Sequence, residues 1–231
     1  MVEVLNNFLF VKYRRIWFPT EMPKIGALDL VSLRQCGEDL EKELGSTEWV
    51  KIGFSTLHND LCEDEGALFA KIAKNTKYEI KRAMKENVLV DKSDLNEFLP
   101  FFNSFAPTKN LKPLSLSNLK AYQDNLLVRK AYLDQKILAM HAYVVDGNVA
   151  QSRARLLYSA TVDRTVPNTD VNLVGRANRL LHWEDMLLFK SLGFCLYDWG
   201  GIAQDANNPV TSGIDSFKSA YGGVVLDEPH Y

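Results

Sequence analysis

The stretch GRANRLLHWEDMLLFKSLGFCLYDWGG, residues 175–201, decides the fold class of this 231-residue chain. Its apolar residues recur three or four positions apart, which predicts a helix over about 173–191. Gly193 then stands where a residue of positive φ commonly ends a helix. The following FCLYDW segment is rich in aromatic residues and predicts a strand that leads into Gly200-Gly201. A helix that feeds directly into a strand indicates helices packed on a sheet.

The segment just upstream predicts antiparallel strands. Three apolar runs between about 126 and 160 are separated by Asp134-Gln135 and by Asp146-Gly147-Asn148. An Asp-Gly pair between apolar runs is a strong hairpin signal, so an antiparallel meander is expected here.

Further elements are predicted on both sides of this meander. Short strands are expected in FLFVKYRRIWF (8–18) and WVKIGF (49–54), which are rich in β-branched and aromatic residues. The helical period predicts helices at four more places: one amphipathic helix from Glu63 to about Asn87, one over Leu95–Phe105, one after Ser115, and one near 212–221. This order of elements favours an α+β layer over a doubly wound sheet.

Composition limits the classes of function. A net charge of −2 and a pI near 6.1 lack the global basic charge of a general nucleic-acid binder, although residues 71–86 hold six basic side chains. No apolar run approaches the ~20 residues that cross a bilayer. At the N-terminus the basic residues follow the apolar stretch, the reverse of a secretory signal, so a cytoplasmic location is expected.

Domain organisation and metal content follow from simpler features. No linker-like tract divides the chain, so a single domain over 1–231 is expected, with 1–62 as an N-terminal strand-rich portion. Cys36, Cys62 and Cys195 are far apart and show no C-x-x-C spacing, which predicts neither a disulfide framework nor a zinc site. No G-x-S-x-G, Walker or H-E-x-x-H motif occurs, so no metal is expected.

The start of the long helix is the first candidate site. A helix N-terminus presents unpaired N–H groups that suit a phosphate or pyrophosphate. In NLVGRA (172–177), Gly175 and Ala177 would allow close approach of a ligand. A plain helix entry with small residues for packing explains the same letters, and both interpretations stay open.

Glu184 on this helix is the second candidate. It falls in the middle of the apolar face formed by Ala177, Leu180, Leu181, Leu187, Leu188 and Leu192, which predicts a buried carboxylate. Burial without a partner is costly. Either a structural ion pair with Arg153 or Arg155, or a role in ligand binding or catalysis, satisfies this requirement.

Three further residues are candidates for proton and charge chemistry. Asp198 ends a strand before two glycines, where it lines a ligand crevice or caps the turn. His141 lies in the apolar strand ILAMHAYVV, where it acts as a base or is a core residue whose hydrogen bonds are satisfied. Lys218 lies between Phe217 and Tyr221, where it holds an anion or is solvated surface.

Three segments together resemble the Fem-like branch of the GNAT acyltransferase superfamily: NTKYEIKRAMK (75–85), residues 175–201, and GIDSFKSAYGG (213–223). The first resembles the pattern N-x-[RK]-x-x-I-[RK]-[RK]-A, with Lys77 where arginine is frequent. The others are similar to "lhW…K..G…yD.GG…FK..fGG". The resemblance implies a GNAT-like fold, with a mixed, mainly antiparallel sheet flanked by helices, and transfer of an acyl or aminoacyl group to an amine.

The resemblance also implies two alternative donors. Fem-type ligases use aminoacyl-tRNA and usually contain two tandem modules, whereas ordinary GNAT enzymes use acyl-coenzyme A in one module. This chain is long enough for one full module. The pyrophosphate loop [QR]-x-x-G-x-[GA] is matched at 172–177 except that Asn172 replaces Gln or Arg. The donor-binding residues so implied are Asn172, Val174, Gly175, Arg176, Ala177, Asn178 and Phe217.

The expected function is therefore an N-acyltransferase that carries an acyl group from acyl-coenzyme A to the amino group of a small acceptor, such as an amino sugar or a surface-polysaccharide precursor. Asp198 or His141 would accept a proton, and Lys218, in the Fem-like FK pair, would stabilise the oxyanion. Substrate binding is assigned to Lys77, Lys81, His182, Glu184, Trp199 and Tyr221.

Partners and alternatives complete the expectation. The partners expected are acyl-coenzyme A and the amine acceptor, with tRNA less favoured by the composition and a homodimer compatible with the chain. The alternative functions are an aminoacyl-tRNA-dependent Fem-type peptide ligase and a non-catalytic GNAT-like binding module.

Overall fold

The computed structural model describes residues 1–8, 11–27, 29–45, 48–147, 152–163, 165–167, 169–203 and 209–231. The strands are β1 (Val2–Phe8), β2 (Val11–Trp17), β3 (Asp29–Arg34), β4 (Ser55–Asp60), β5 (Leu89–Ser93), β6 (Leu126–Leu133), β7 (Lys136–Asp146), β8 (Arg153–Thr161), β9 (Leu196–Gly201) and β10 (Val224–Asp227). The helices are α1 (Glu38–Leu44), α2 (Glu65–Lys71), α3 (Lys74–Lys85), α4 (Leu95–Phe105), α5 (Leu116–Lys120), α6 (Val171–Ser191) and α7 (Pro209–Ser219).

Among the described residues, seven strands form the main sheet, in the order β10-β4-β9-β8-β7-β6-β5, and β1-β2-β3 form a smaller sheet. Within the main sheet every described pair is antiparallel except β8 and β9, which are parallel. Parallel neighbours need a crossover, and α6 supplies it. The predicted α+β class, with a mixed and mainly antiparallel sheet flanked by helices, is confirmed.

The parallel pair is short. Only Arg153–Arg155 of β8 pair with Leu196–Asp198 of β9, although both strands continue beyond these residues. The strands therefore separate after Arg155 and Asp198. We call the opening between 156–161 of β8 and 199–201 of β9 the wedge.

Strand β7 is covered on both faces. Ala139 and Tyr143 pack with α3 and α6 in the largest core cluster, whereas Met140 and Ala142 pack with α4 and α5. Successive side chains of a strand point to opposite faces, so the two sets lie on opposite sides of the sheet. The small sheet joins the second side, where Val4 and Trp17 pack with Val144.

Several predicted elements are confirmed. The helix over Leu95–Phe105 has those bounds, and the Ser115 hydroxyl caps α5 by accepting from the Asn118 amide at 3.2 Å. The meander forms β6, β7 and β8, although 148–151 of its second turn lie outside the described residues. Gly193, with φ of 83°, follows α6 as expected. No helix in the described ranges is both long and apolar enough to cross a membrane.

Other predictions are wrong for reasons of tertiary structure. The single helix over 63–87 is two helices, because the chain is extended at Ile72 and the Ala73 amide donates to the Ala220 carbonyl at 2.8 Å. The WVKIGF segment forms only an isolated bridge, between Ile52 and His230, and the strand begins at Ser55. That strand, β4, pairs with β9 inside the main sheet, so the 1–62 portion contributes to both sheets.

The edge strands β5 and β10 were not predicted. Their sequences, LVDKS and VVLD, are short and lack a long alternating pattern. Both form because a neighbouring strand offers unpaired backbone groups: β6 for β5 and β4 for β10.

We predict that Gly223→Ala destabilises the fold. Gly223 has φ of 99°, and an added Cβ would lie 2.5 Å from the His58 carbonyl oxygen. The unfolding free energy should fall by about 1–3 kcal/mol or more. Gly213→Ala is the matched control: it lies within α7 with no atom near an added Cβ, so it should stabilise by about 0.5–1 kcal/mol. Urea denaturation of both variants measures the difference, and equal stabilities would contradict the assigned backbone.

Candidate active site

Gly200 lies where the wedge begins, and its conformation brings the two strands close before they separate. It has φ of 70°, and an added Cβ would lie 3.1 Å from the Leu156 carbonyl oxygen and 3.3 Å from an Arg155 guanidinium nitrogen. A side chain here would be strained and would push β9 away from β8. Gly200 is thus needed for the shape of the wedge.

Asp198, the last residue of β9 that pairs with β8, is fully buried and has several hydrogen-bond donors around it. It accepts hydrogen bonds from Gln35 Nε2 at 2.7 Å, from the Gly200 amide at 2.8 Å, and from the Thr56 hydroxyl. Burial alone would raise the pKa of this carboxyl, but neighbouring His58 and the Arg153 and Arg155 guanidiniums lower it strongly. A carboxylate so stabilised accepts no proton near neutral pH, which argues against Asp198 as the base.

Arginines on β8 continue this network. Arg153 donates to both carboxylate oxygens of Glu228, at 2.8 and 2.6 Å. Arg155 donates to the Gln35 side-chain oxygen and lies 4.5 Å from the centre of the Trp17 ring. Because a guanidinium only donates, the Gln35 amide nitrogen must face the carboxylates. The network joins the small sheet and the chain end to β9.

His58 was missed by the sequence reasoning, since a lone histidine in β4 carries no motif. Its Nε2 lies 3.5 Å from Asp198 and 3.6 Å from Glu228, and it has no hydrogen-bond partner in the described part of the chain. These three side chains are compact enough to hold a metal ion. Gln35 and Arg153 already donate to the same carboxylates, so a cation would have to displace them.

A second polar network lies on the opposite side of the sheet, around Asp185 of α6. Asp185 is fully buried and accepts from Arg129 Nε at 3.0 Å and from the Tyr143 hydroxyl at 2.7 Å. His141 Nδ1 lies 2.9 Å from the same carboxylate. Every charge in this group therefore has a partner.

The prediction that Glu184 is the buried carboxylate is wrong. Glu184 is half-buried, where burial raises the pKa of its carboxyl, and Arg153 and Arg155 bond to Glu228 and Gln35 instead. Adjacent residues on a helix differ by about 100°, so an error of one position exchanges a core residue for a border residue. The sequence did contain the correct signal, a polar stripe at helical spacing: Asn178, His182 and Asp185.

Five predicted residues meet in one aromatic cluster beside α6. The His182 ring is centred 4.0 Å from His141, 4.4 Å from Trp199, 5.5 Å from Phe217 and 5.8 Å from Tyr221. His141, His182, Trp199 and Tyr221 are buried, and Phe217 is half-buried. Their assignment to substrate, donor or proton chemistry stays a prediction, but their proximity is observed.

Lys218 follows Phe217 on α7, and its ammonium donates to the Gly201 carbonyl at the end of β9. Burial lowers the pKa of this side chain to about 8, with further repulsion from Arg155 and partial compensation by Asp198 and Asp215. Lys218 is thus a half-buried cation at the edge of the wedge.

The predicted pyrophosphate cradle does not have the expected geometry. Helix α6 begins at Val171, and Asp170 caps it by accepting from the Leu173 amide at 2.9 Å. The Val174 amide donates to the Asp170 carbonyl, so the amides from Val174 to Asn178 belong to the helical ladder. The same hydrogen bond from Leu173 lowers the pKa of Asp170, which leaves a negative charge at this helix end.

The side chains of the cradle are also engaged. Val174 and Ala177 are buried in the core, Arg176 donates to Glu86 at 2.7 Å, and Asn178 contacts His141 Nε2 at 3.0 Å. Of the polar side chains Asn172, Arg176 and Asn178, Asn172 alone is exposed. Coenzyme A binding itself stays a prediction.

Lys77 and Lys81 lie apart from the residues that gather around the wedge. Their ammonium groups lie 5.8 and 5.5 Å from the centre of the Phe69 ring, and Lys77 also donates to the Ala70 carbonyl at 2.7 Å. Their assignment to substrate binding stays a prediction.

Comparison with known proteins identifies the fold. No family model and no curated protein matches the sequence. The structure of FemX matches with a TM-score of 0.68 at 10% identity, over 99% of this chain and 83% of that chain. The C-terminal domain of a putative lysylphosphatidylglycerol synthetase from Agrobacterium fabrum matches with a TM-score of 0.63 at 12% identity, over 99% of this chain and 79% of that chain. L-PGS from Bacillus licheniformis matches with a TM-score of 0.60 at 10% identity, over 99% of this chain and 79% of that chain.

The chain therefore shares its fold with FemX and with the C-terminal domain of a putative lysylphosphatidylglycerol synthetase. Identities this low show a common fold and leave activity and substrate to be established separately. The match to FemX covers 99% of this chain, so it includes the small sheet as well as the main one.

We predict that Asp185→Ala lowers the unfolding free energy by about 3–5 kcal/mol, because it leaves the Arg129 charge and the Tyr143 hydroxyl without their buried acceptor. Glu184→Ala, one residue away on the same helix, should cost less than about 1 kcal/mol. Chemical denaturation of both variants tests the assignment. If Glu184→Ala were the more damaging change, the burial order of these two carboxylates would be refuted.

Proposed function

We propose that the protein is a transferase that moves an acyl group from an activated ester or thioester to the amino group of a small acceptor. The fold supports this, because the matched structures include FemX and the C-terminal domain of a putative lysylphosphatidylglycerol synthetase. The observation that carries the proposal is Lys218, a half-buried ammonium fixed against the end of β9.

In this reaction the amine attacks the acyl carbonyl carbon, whose oxygen becomes negative in the tetrahedral intermediate. A preorganised cation in a partly desolvated site stabilises such an oxyanion much more than water does. Lys218 is held by the Gly201 carbonyl before substrate arrives, so little reorganisation is needed. We assign the acyl chain to the wedge beside it.

We assign the acceptor to a cavity of about 850 Å³ that adjoins Gly201. Its lining includes the carboxylates of Glu41, Asp215 and Asp227 together with Lys51. Small-molecule sites commonly have this size, and an acidic lining suits an acceptor that carries an amino group. An amino sugar or surface-polysaccharide precursor is the class we propose.

Two donors share the required chemistry. Acyl-coenzyme A is the first candidate, from the sequence resemblance; its pyrophosphate would need contacts other than the 174–178 amides. Aminoacyl-tRNA is the second, and the Fem-related fold over nearly the whole chain favours it, whereas the net charge of −2 does not.

A transfer assay with a panel of amino sugars distinguishes the donors. Labelled acetyl-coenzyme A and a labelled mixture of aminoacyl-tRNAs are supplied in parallel, and amide products are detected by mass spectrometry. Product from either arm supports the proposal and identifies the donor. No product in either arm, with folded protein and thermal shift showing no binding of either donor, rejects it.

We predict that Lys218→Ala lowers kcat by roughly 10²–10³ with little change in donor affinity, because the ammonium interacts most strongly with the charge of the transition state. Lys112→Ala, which removes an exposed lysine, is the matched control and should retain full activity. Steady-state kinetics decides. A raised KM with unchanged kcat would instead assign Lys218 to ground-state binding.

The pH profile gives an independent prediction. Since burial lowers the pKa of Lys218 to about 8, its ammonium is present below pH 8 and is lost as pH rises through that value. We therefore expect kcat/KM to fall above about pH 8 in the parent protein. In Lys218→Arg the guanidinium keeps its proton, so this alkaline fall should disappear even where the absolute rate is low. An identical alkaline limb in both proteins would contradict the assignment.

A further inference from the structure

An unbroken chain of hydrogen bonds connects buried Asp185 to His182 through two tyrosines. The Tyr143 hydroxyl lies 2.7 Å from Asp185, the Tyr197 hydroxyl lies 2.8 Å from Tyr143, and His182 Nδ1 lies 2.7 Å from Tyr197. All four residues are at most 1% exposed, so water does not compete for these bonds. The chain crosses from β7 to β9 and begins and ends on α6.

Only one direction of donation is consistent along this chain. The ionised Asp185 carboxylate can only accept, so Tyr143 donates its single proton to it. Tyr143 then has no proton for Tyr197, so Tyr197 donates to Tyr143. Tyr197 in turn has none for His182, so His182 Nδ1 must carry a proton and donate to Tyr197.

The ionisation of the chain members supports this direction. Arg129 donates to the other oxygen of Asp185, which stabilises the carboxylate. Burial, together with the nearby Asp185 charge, raises the pKa of Tyr143 and of Tyr197 well above the usual phenol value, so both keep their protons. A neutral His182 with Nδ1 protonated bears its lone pair on Nε2.

His182 Nε2 is the one ring nitrogen of this residue that the chain leaves unused. It makes no hydrogen bond with the described residues, yet it is not one of the fully enclosed unpaired nitrogens in that part of the structure, which belong to Arg15, Trp17, Arg34, His58 and Arg179. The whole His182 side chain is only 1% exposed, so any opening toward Nε2 is narrow. The ring lies against Phe217, the neighbour of Lys218.

The charges that face His182 keep the ring neutral. Burial first, and then the repulsion of His141 on β7, Lys218 on α7 and Arg179 on α6, lower its pKa well below the usual histidine value. When the Lys218 charge is paired with a developing oxyanion, that repulsion weakens and the ring gains proton affinity at the moment of reaction.

We propose that His182 Nε2 accepts the proton that the acceptor amine loses during acyl transfer. This role rests on the proposed function. The amine nitrogen forms its bond to the acyl carbon, its proton passes to Nε2, and the bond to the oxygen or sulfur leaving group breaks as that group takes the electron pair. The proton then leaves His182 for the leaving group or solvent, and the imidazolium is stabilised through the chain by Asp185.

The tautomer is tested first, without any substrate. Nitrogen-15 NMR of histidine-labelled protein distinguishes a protonated Nδ1 from a protonated Nε2, and His182→Asn assigns the signal. Near neutral pH we expect Nδ1 protonated and Nε2 unprotonated, and we expect Tyr197→Phe to abolish this preference. A protonated Nε2 in the parent protein overturns the proposal.

Kinetics tests the role. His182→Asn keeps a donor toward Tyr197 but lacks the Nε2 acceptor, so kcat should fall by roughly 10²–10⁴ with KM values little changed. In Tyr197→Phe, kcat should fall by roughly tenfold or more, because the His182 tautomer is no longer fixed. Tyr132→Phe, a matched change on β6 outside the chain, should leave kcat unchanged.

The outcomes separate the two proposals. Full activity in His182→Asn, in a protein that transfers acyl groups, overturns the role of His182 and leaves the proposed function intact. Absence of transfer in the parent protein with both donors overturns the proposed function and with it the proton transfer, even where NMR confirms the Nδ1 tautomer.

Discussion

The parallel contact between β8 and β9 is the constraint on which the rest of the structure depends. It lasts from Arg153 to Arg155 and then ends, and beyond it Gly200 at φ of 70° still lies close to the Leu156 carbonyl, where a side chain would not fit. Two strands that separate inside a sheet leave backbone groups without ladder partners. The residues around the wedge supply partners for some of them: Lys218 for the Gly201 carbonyl and Arg155 for the Leu156 carbonyl.

The buried carboxylates on the two sides of the sheet are stabilised in different ways. On the side of the small sheet, Asp198 and Glu228 are balanced by Arg153 and Arg155, with Gln35 between them. This saturates both carboxylates and makes them a support for β9. A buried ion network of this kind fixes geometry more than it adds net stability.

On the side of α6, a single carboxylate serves several donors and terminates a chain of phenols. Asp185 has Arg129, His141 and Tyr143 around it, and the polarity it imposes extends through Tyr197 to His182. Such a chain transmits the orientation of a proton over several residues without moving a charge. It places the oriented histidine close to the lysine at the wedge, which is the pair of functions that amide formation from an activated acyl group requires.

The sequence by itself determined the elements whose signals are local. The period of α6, the cap at Ser115, the antiparallel strands of the meander and the glycine after α6 each depend on residues within a few positions, and each was confirmed. The family pattern that 175–201 and 213–223 match also indicated the fold and singled out Lys218 and His182.

Tertiary structure decided the features that local patterns do not contain. Whether Glu184 or Asp185 enters the core depends on how the sheet and α3 cover the helix, and the break at Ile72 depends on the distant Ala220 carbonyl. Asp170 caps the N-terminus of α6, where the sequence motif had predicted a bound phosphate group. The partners of His58, Gln35 and Glu228 lie 100 residues or more away in several cases, since buried charges find their counterparts only when the sheet has assembled.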